Sequence, residues 1–156
     1  MTRVFRLLRG EHADTAFSGQ GAARRGGRWN PAGVPIVYTA QSLSLAALEL
    51  LVHMEAEDFG EVFVYFDIEI PDSIELLAVD PGDLGPIERE GLDYPALQEV
   101  GRQWVESQQS VGLWVPSAVI PSEYNLLLNP EHPEFEALSI AGPQAFSFDT
   151  RLKPQT

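Results

Sequence analysis

The sequence predicts an α+β domain built on a largely antiparallel sheet. Three observations predict it. Short apolar or alternating stretches outnumber helix-period ones and are mostly separated by turn residues. Two helical segments are interspersed among them without the regular strand–helix alternation of a doubly wound fold. No Gly-x-Gly-x-x-Gly follows a strand, and no Gly-Lys-Ser/Thr phosphate loop is present. At 156 residues, 44% apolar and 21% charged, the chain reads as one domain over 1–156 with a core of its own.

The elements follow in order. Arg3 to Leu8 alternates and reads as a first strand. Residues 10–35 carry six glycines and two prolines and read as a long loop, of the functional or disordered kind. Pro35 to Ala40 is a short strand of buried type. Residues 42–55 form the clearest helix, with Ser42 as N-cap and Leu45, Leu48, Leu51 and Val52 as one apolar stripe. Residues 61–70 alternate as a strand, and Ser73–Val79 continues the sheet after the Pro71-Asp72 turn. Residues 80–94, rich in Gly, Pro and acid, make a surface connection. Residues 95–109 form a second helix on Leu97, Val100, Trp104 and Val105. Strands at 112–120 and 124–128 come next, then the rigid turn Asn129 to Pro133. A helical turn at 133–138 and a last strand at 144–149 complete the domain.

Composition excludes several function classes. The chain has no cysteine, which rules out disulfides, thiolate metal sites and a Cys nucleophile. His12, His53 and His132 lack His-x-x-His or His-Glu-x-x-His spacing, so no metal site is expected. Every apolar run is broken too soon to span a bilayer, and the N-terminus has no signal-peptide pattern, so a cytoplasmic location is the default. A net charge of −13 argues against direct nucleic-acid binding, which needs clustered Lys and Arg. The cations are uneven, however. Arg3, Arg6, Arg9, Arg24, Arg25 and Arg28 are six of the ten basic residues, so a phosphate-bearing ligand would bind through the N-terminal segment.

Four residues could carry chemistry. Glu49 falls beside Leu45 and Val52 on the helical wheel, at the rim of the apolar stripe. It is either a surface carboxylate paired with His53 at i+4, or a carboxylate set beside a sugar to steady an oxocarbenium-like cation. Arg28 ends the glycine-rich segment, where the backbone can approach a ligand and the guanidinium can grip phosphate; an exposed loop arginine is the equal alternative. Tyr38, mid-strand, is by itself more readily a core residue than a stacking platform. Ser117 interrupts the apolar run Leu113 to Ile120 and needs a hydrogen-bond partner, with backbone satisfaction the simpler account. Gly-x-Ser-x-Gly is absent, so a serine hydrolase fits poorly.

In order along the chain stand Gly27-Arg28-Trp29-Asn30, Pro35-Ile-Val-Tyr38-Thr-Ala40, and Ser44-Leu-Ala-Ala-Leu-Glu49-Leu-Leu-Val-His53. Val115-Pro-Ser117-Ala-Val-Ile-Pro121 follows, then Asn125-Leu-Leu-Leu-Asn129-Pro130 and His132-Pro133. Together these resemble the RES-domain toxins, a family named for the Arg, Glu and Ser that map here to Arg28, Glu49 and Ser117. The resemblance covers nearly the whole chain and is weakest over 80–111. It implies an ADP-ribosyltransferase-like fold, a split, mainly antiparallel sheet around an NAD⁺ cleft. It implies a toxin that degrades NAD⁺ by cleaving the nicotinamide–ribose bond, as glycohydrolase or phosphorylase, with NAD⁺ as substrate and no resident cofactor. ADP-ribosyl transfer to a protein is the alternative. A non-catalytic binding module is the second, disfavoured because Arg28, Glu49 and Ser117 occur together.

In that cleft Arg28 would hold the pyrophosphate or ribose side and Tyr38 would pack on the nicotinamide end. Glu49 would orient the ribose and stabilise charge at its anomeric carbon, and Ser117 would hydrogen-bond the nicotinamide or nearby ribose. Arg6 and Asn125 are further candidates for phosphate contact and polar support. The partner implied is an Xre-type helix-turn-helix antitoxin that covers the active site, with room for a toxin dimer inside a larger complex. DNA binding would then belong to the partner, in keeping with this chain's acidity.

Overall fold

Thr2–Arg9 forms β1, an alternating strand whose Val4 and Leu8 are buried on one face and Leu7 on the other. The computed structural model describes residues 1–80, 82, 84 and 94–154. In chain order the remaining elements are α1 (Gln20–Arg25), β2 (Val37–Ala40), α2 (Leu43–Leu51), β3 (Phe63–Ile70), β4 (Leu77–Ala78), α3 (Tyr94–Ser107), β5 (Gly112–Pro116), β6 (Tyr124–Leu128) and β7 (Ser139–Phe146). Short 3-10 turns lie at Gly10–Thr15, Ala56–Gly60, Pro133–Ala137 and Thr150–Leu152. No helix among the described residues is long and apolar enough to cross a membrane.

Among the described residues seven strands form one sheet, in the order β4-β5-β6-β2-β1-β3-β7. It is antiparallel except for the two-residue parallel pair of β4 with β5. The α+β class and the mainly antiparallel sheet read from the sequence are what the chain adopts. β1 pairs with β3 along its full length, from Thr2 opposite Ile70 to Arg9 opposite Phe63. Against β2 it keeps a single register position, Phe5 opposite Ala40. The sheet therefore splits between β1 and β2 into a β4-β5-β6-β2 half and a β1-β3-β7 half. Arg6 spans the opening: Nη1 donates to the Tyr38 carbonyl at 2.9 Å and Nε to the Ala16 carbonyl at 2.6 Å.

Strand alternation and the Phe5–Ala40 register put Leu7 and Tyr38 on the same face, and Leu127 opposite Tyr38 joins them. Both long helices cover that face. α2 packs Ala46, Ala47, Leu50 and Leu51 with Leu7, Phe63 and Tyr65 on one half. α3 packs Leu97, Trp104 and Val105 with Leu113, Val115 and Leu127 on the other. The opposite face buries Val4, Leu8, Val37, Ile68, Leu126 and Leu128 under the connecting segments that carry Ala16 and Leu138.

The structure corrects several expectations. Residues 10–35 are ordered into a 3-10 turn, α1 and a tight loop, because Asn30 supplies the hydrogen bonds that a run of glycines cannot. Its Nδ2 donates to the carbonyls of Ala22, Pro31 and Val34 at 2.8, 3.2 and 3.1 Å. Ser42 caps α2 as expected, its Oγ accepting from Leu45 N at 3.1 Å, but the helix ends at Leu51. The apolar stripe is also rotated. Leu45 is buried, whereas Leu48 and Val52 are 37% and 60% exposed, because the small pair Ala46-Ala47 turns inward and lets the helix approach the sheet. The sheet expected over 73–79 narrows to Leu77–Ala78, and the strand expected over 112–120 stops at Pro116, which Ser117 follows in a turn. The last strand begins at Ser139 rather than 144, because pairing to β3 recruits a stretch that lacks a buried face of its own. Of the surface connection expected over 80–94, residues 81, 83 and 85–93 lie outside the described residues.

Candidate active site

The cleft opens where the sheet splits, with Glu49 on α2 as one wall and the Arg28 loop as the other. Glu49 sits on the half of α2 that faces neither core nor bulk solvent. Its bond is to Ser117, not to exposed His53: the Ser117 hydroxyl donates to Glu49 Oε1 at 2.6 Å. The same Oγ accepts from Val119 N and Ile120 N, each at 3.1 Å. A hydroxyl has one proton and two lone pairs. The two amides occupy the lone pairs, so the proton has one destination, the carboxylate. Ser117 is 2% exposed, and the turn that holds it closes with Ser117 N donating to the Glu123 carbonyl at 2.9 Å. The site is thus built from the end of β5 outward: strand end, turn, serine, glutamate.

The opposite wall is built around Tyr38. Its hydroxyl donates to Asn30 Oδ1 at 2.5 Å and accepts from Trp29 N at 3.1 Å, while Gly27 N donates to the Asn30 carbonyl at 2.8 Å. A Cβ on Gly27 would lie 2.8 Å from both the Tyr38 hydroxyl and Asn30 Oδ1, so only glycine lets the loop close this tightly. Gly26 adopts φ +73°, which ends α1 and turns the chain towards Arg28. Trp29, 2% exposed, anchors the loop in the core with Ile36 and Trp104.

Two cavities meet at Glu49 and His53. One, of about 310 Å³, lies over the sheet split and is lined by Arg6, Tyr38, Glu49, His53 and Asn125 among others. The second, of about 760 Å³, lies between Arg25, Arg28, Glu49, His53 and Val119. A third, of about 470 Å³, adjoins the first at Arg6 and Tyr38 and adds His12, Arg24 and Arg25. Among the described residues Glu49 is the one carboxylate lining these three cavities, and the arginines outnumber it in a chain of net charge −13. The local field therefore suits an anion that carries a cationic or electron-poor centre near Glu49. Desolvation pushes the Arg6 guanidinium down to about 10, so it stays charged at neutral pH and contributes a poorly hydrated cation at the cleft floor.

The structure brings five of the six residues singled out in the sequence onto these cavity walls: Arg6, Arg28, Tyr38, Glu49 and Asn125. Ser117 stands behind Glu49. Arg6 is held by two backbone carbonyls, so part of its role is to brace the split. Two residues to which the sequence pattern assigns no role also hold this wall: Asn30, which is fully buried and joins the loop to Tyr38, and Gln98, whose Nε2 donates to the Gly27 carbonyl at 2.9 Å. Asn30 carried a legible signal as a polar residue between a core Trp and a Pro. Gln98 carried none, because one helical glutamine reads like any other.

Comparison with known proteins identifies the family. Residues 3–150 match the RES domain model. A protein named Toxin Res from Yersinia enterocolitica is 40% identical over 151 residues, 96% of this chain and 99% of its own. A protein named Prs ADP-ribosylating toxin from Sphingobium sp. is 38% identical over 142 residues, 87% of this chain and 86% of its own. Among solved structures, the M. tuberculosis MbcT–MbcA toxin–antitoxin complex matches with a TM-score of 0.72 at 20% identity, over 93% of this chain and 84% of that one; this shows a shared fold. The family match over residues 3–150 and the 40% identity over 96% of the chain mean that the chain belongs to the RES domain family.

Proposed function

We propose that this chain is a toxin that cleaves NAD⁺ at the nicotinamide–ribose bond. The observation that carries the reading is the Ser117–Glu49 hydrogen bond facing Arg28 across one cavity. Cleavage leaves positive charge on the anomeric carbon as the C–N bond breaks and nicotinamide departs with the bonding pair. A carboxylate held beside that carbon stabilises the transition state more than the ground state. Ser117 holds the Glu49 carboxylate in place through its donated hydrogen bond. Arg28 would grip the pyrophosphate, with Arg6 as the desolvated cation below it. Tyr38, whose hydroxyl is committed to the loop, would offer its ring, and Asn125 polar support. NAD⁺ is the substrate, consumed rather than recycled.

With water as acceptor the products are ADP-ribose, nicotinamide and a proton; with inorganic phosphate the ribose carbon ends bonded to phosphate oxygen. A second reading, transfer of ADP-ribose to a protein, is favoured by the name of the Sphingobium relative, which calls it an ADP-ribosylating toxin. The toxin–antitoxin complex among the structural neighbours supports an antitoxin partner; we assign it to the Xre helix-turn-helix class, covering this cleft. The test is NAD⁺ content after induction of wild type and Glu49→Ala without antitoxin. NAD⁺ loss with wild type alone supports cleavage. Growth arrest with NAD⁺ intact, and label from NAD⁺ recovered on protein, would move the assignment to transfer.

A further inference from the structure

Backbone carbonyls on both sides of Arg28, those of Gly27 and Trp29, rest on α3. On the N-terminal side Gln98 Nε2 donates to the Gly27 carbonyl at 2.9 Å. On the C-terminal side the Trp29 carbonyl lies against Gly101: a Cβ there would stand 1.6 Å from Trp29 O and 2.8 Å from Trp29 C. Glycine in a helix interior is unfavourable relative to alanine, so its presence mid-α3 answers to this close approach. From the sheet side the same segment is held by the Tyr38 hydroxyl at Trp29 N and by Asn30. Every peptide unit around Arg28 is thereby fixed between β2 and α3, while Gly26 and Gly27 supply no side chains that could do so.

We propose that Gln98 and Gly101 are positioning residues for Arg28: α3 clamps the loop and so sets where the guanidinium meets the anionic part of the substrate. Neither residue lines the Arg28 cavity, so the effect passes through the loop backbone. The kinetic part of this inference rests on the proposed NAD⁺ cleavage; the structural part does not.

The experiment uses the full chain in five forms: wild type, Gln98→Leu, Gln98→Lys, Arg28→Lys and the Gln98→Leu/Arg28→Lys pair. Two quantities are read, the KM and kcat for NAD⁺ cleavage and the hydrogen exchange of the Gly27 and Trp29 amides without ligand. Loss of one hydrogen bond of ordinary strength predicts a KM about five-fold higher in Gln98→Leu, with kcat little changed and Tm lower by about 2–4 °C. Gln98→Lys, which keeps an N–H donor, restores most of the loss. In the Arg28→Lys background Gln98→Leu adds nothing further, because the group it positions is gone. Exchange at Gly27 and Trp29 speeds up in Gln98→Leu, while the strands keep their protection. A wild-type KM in Gln98→Leu, or a full five-fold penalty persisting on top of Arg28→Lys, overturns the inference. If wild type leaves NAD⁺ intact, the functional reading falls and exchange alone decides the clamp: faster exchange at the two amides supports it, and unchanged exchange overturns it.

Discussion

Replacing Ser117 by alanine separates the two tasks of its hydroxyl. The first is catalytic. The bond to Glu49 is charge-assisted and 2.6 Å long; such bonds are worth about 2 kcal/mol net, which is about thirtyfold in rate if the loss falls wholly on the transition state. The second is structural. Val119 N and Ile120 N lose their acceptor, and a turn that leaves donors unpaired costs about 1–2 kcal/mol of stability. Ser117→Ala is therefore expected to lower kcat for NAD⁺ cleavage about thirtyfold and to lower the urea midpoint modestly. Ser117→Thr, which keeps the oxygen, should hold the turn and recover more rate than stability, since its extra methyl enters a site only 2% exposed. Purified variants assayed for nicotinamide release beside equilibrium unfolding in urea give both numbers. A Ser117→Ala enzyme that loses the expected stability yet keeps kcat within twofold would refute the reasoning, because Glu49 would then need no partner.

Three further outcomes follow from contacts elsewhere in the chain. Gly27→Ala places a methyl 2.8 Å from the Tyr38 hydroxyl and Asn30 Oδ1 and should cost about 1–3 kcal/mol by overpacking; a Tm equal to wild type would show that the loop has slack. Tyr38→Phe strips Trp29 N of its acceptor and Asn30 of its donor, which should cost about 1–3 kcal/mol in urea unfolding and raise the KM for NAD⁺ as the Arg28 loop loosens. Asp58 is held below its ordinary 3.8 first by the Glu55 backbone N–H and then by Arg9. Its contribution is present above 3.8 and is lost as pH falls through the lower folded value. The urea-midpoint difference between wild type and Asp58→Asn should thus shrink in acid, and a gap that stayed constant with pH would count against it.

The sequence by itself determined the local matters. Period-two alternation in Arg3–Leu8 and Phe63–Ile70, the Ser42 cap and the 3.6-residue stripe of α3 each act through neighbours a few residues apart, and each is legible for that reason. The order of Arg28, Tyr38, Glu49 and Ser117 was legible as a family pattern too. Only the tertiary structure decided what these residues do to one another. Glu49 and Ser117 are 68 residues apart in the chain, and nothing in either neighbourhood requires their bond; it exists because β5 ends beside α2. The rotation of α2 away from Leu48 and Val52 was equally hidden, since a hydropathy stripe records which residues are apolar but not that two alanines permit the closer approach. The split between β1 and β2, which opens the cleft, and the seating of Gly101 on Trp29, which fixes its wall, come from strand register and helix docking. Both are long-range choices whose energy is spread over many contacts, so no short stretch of sequence carries them.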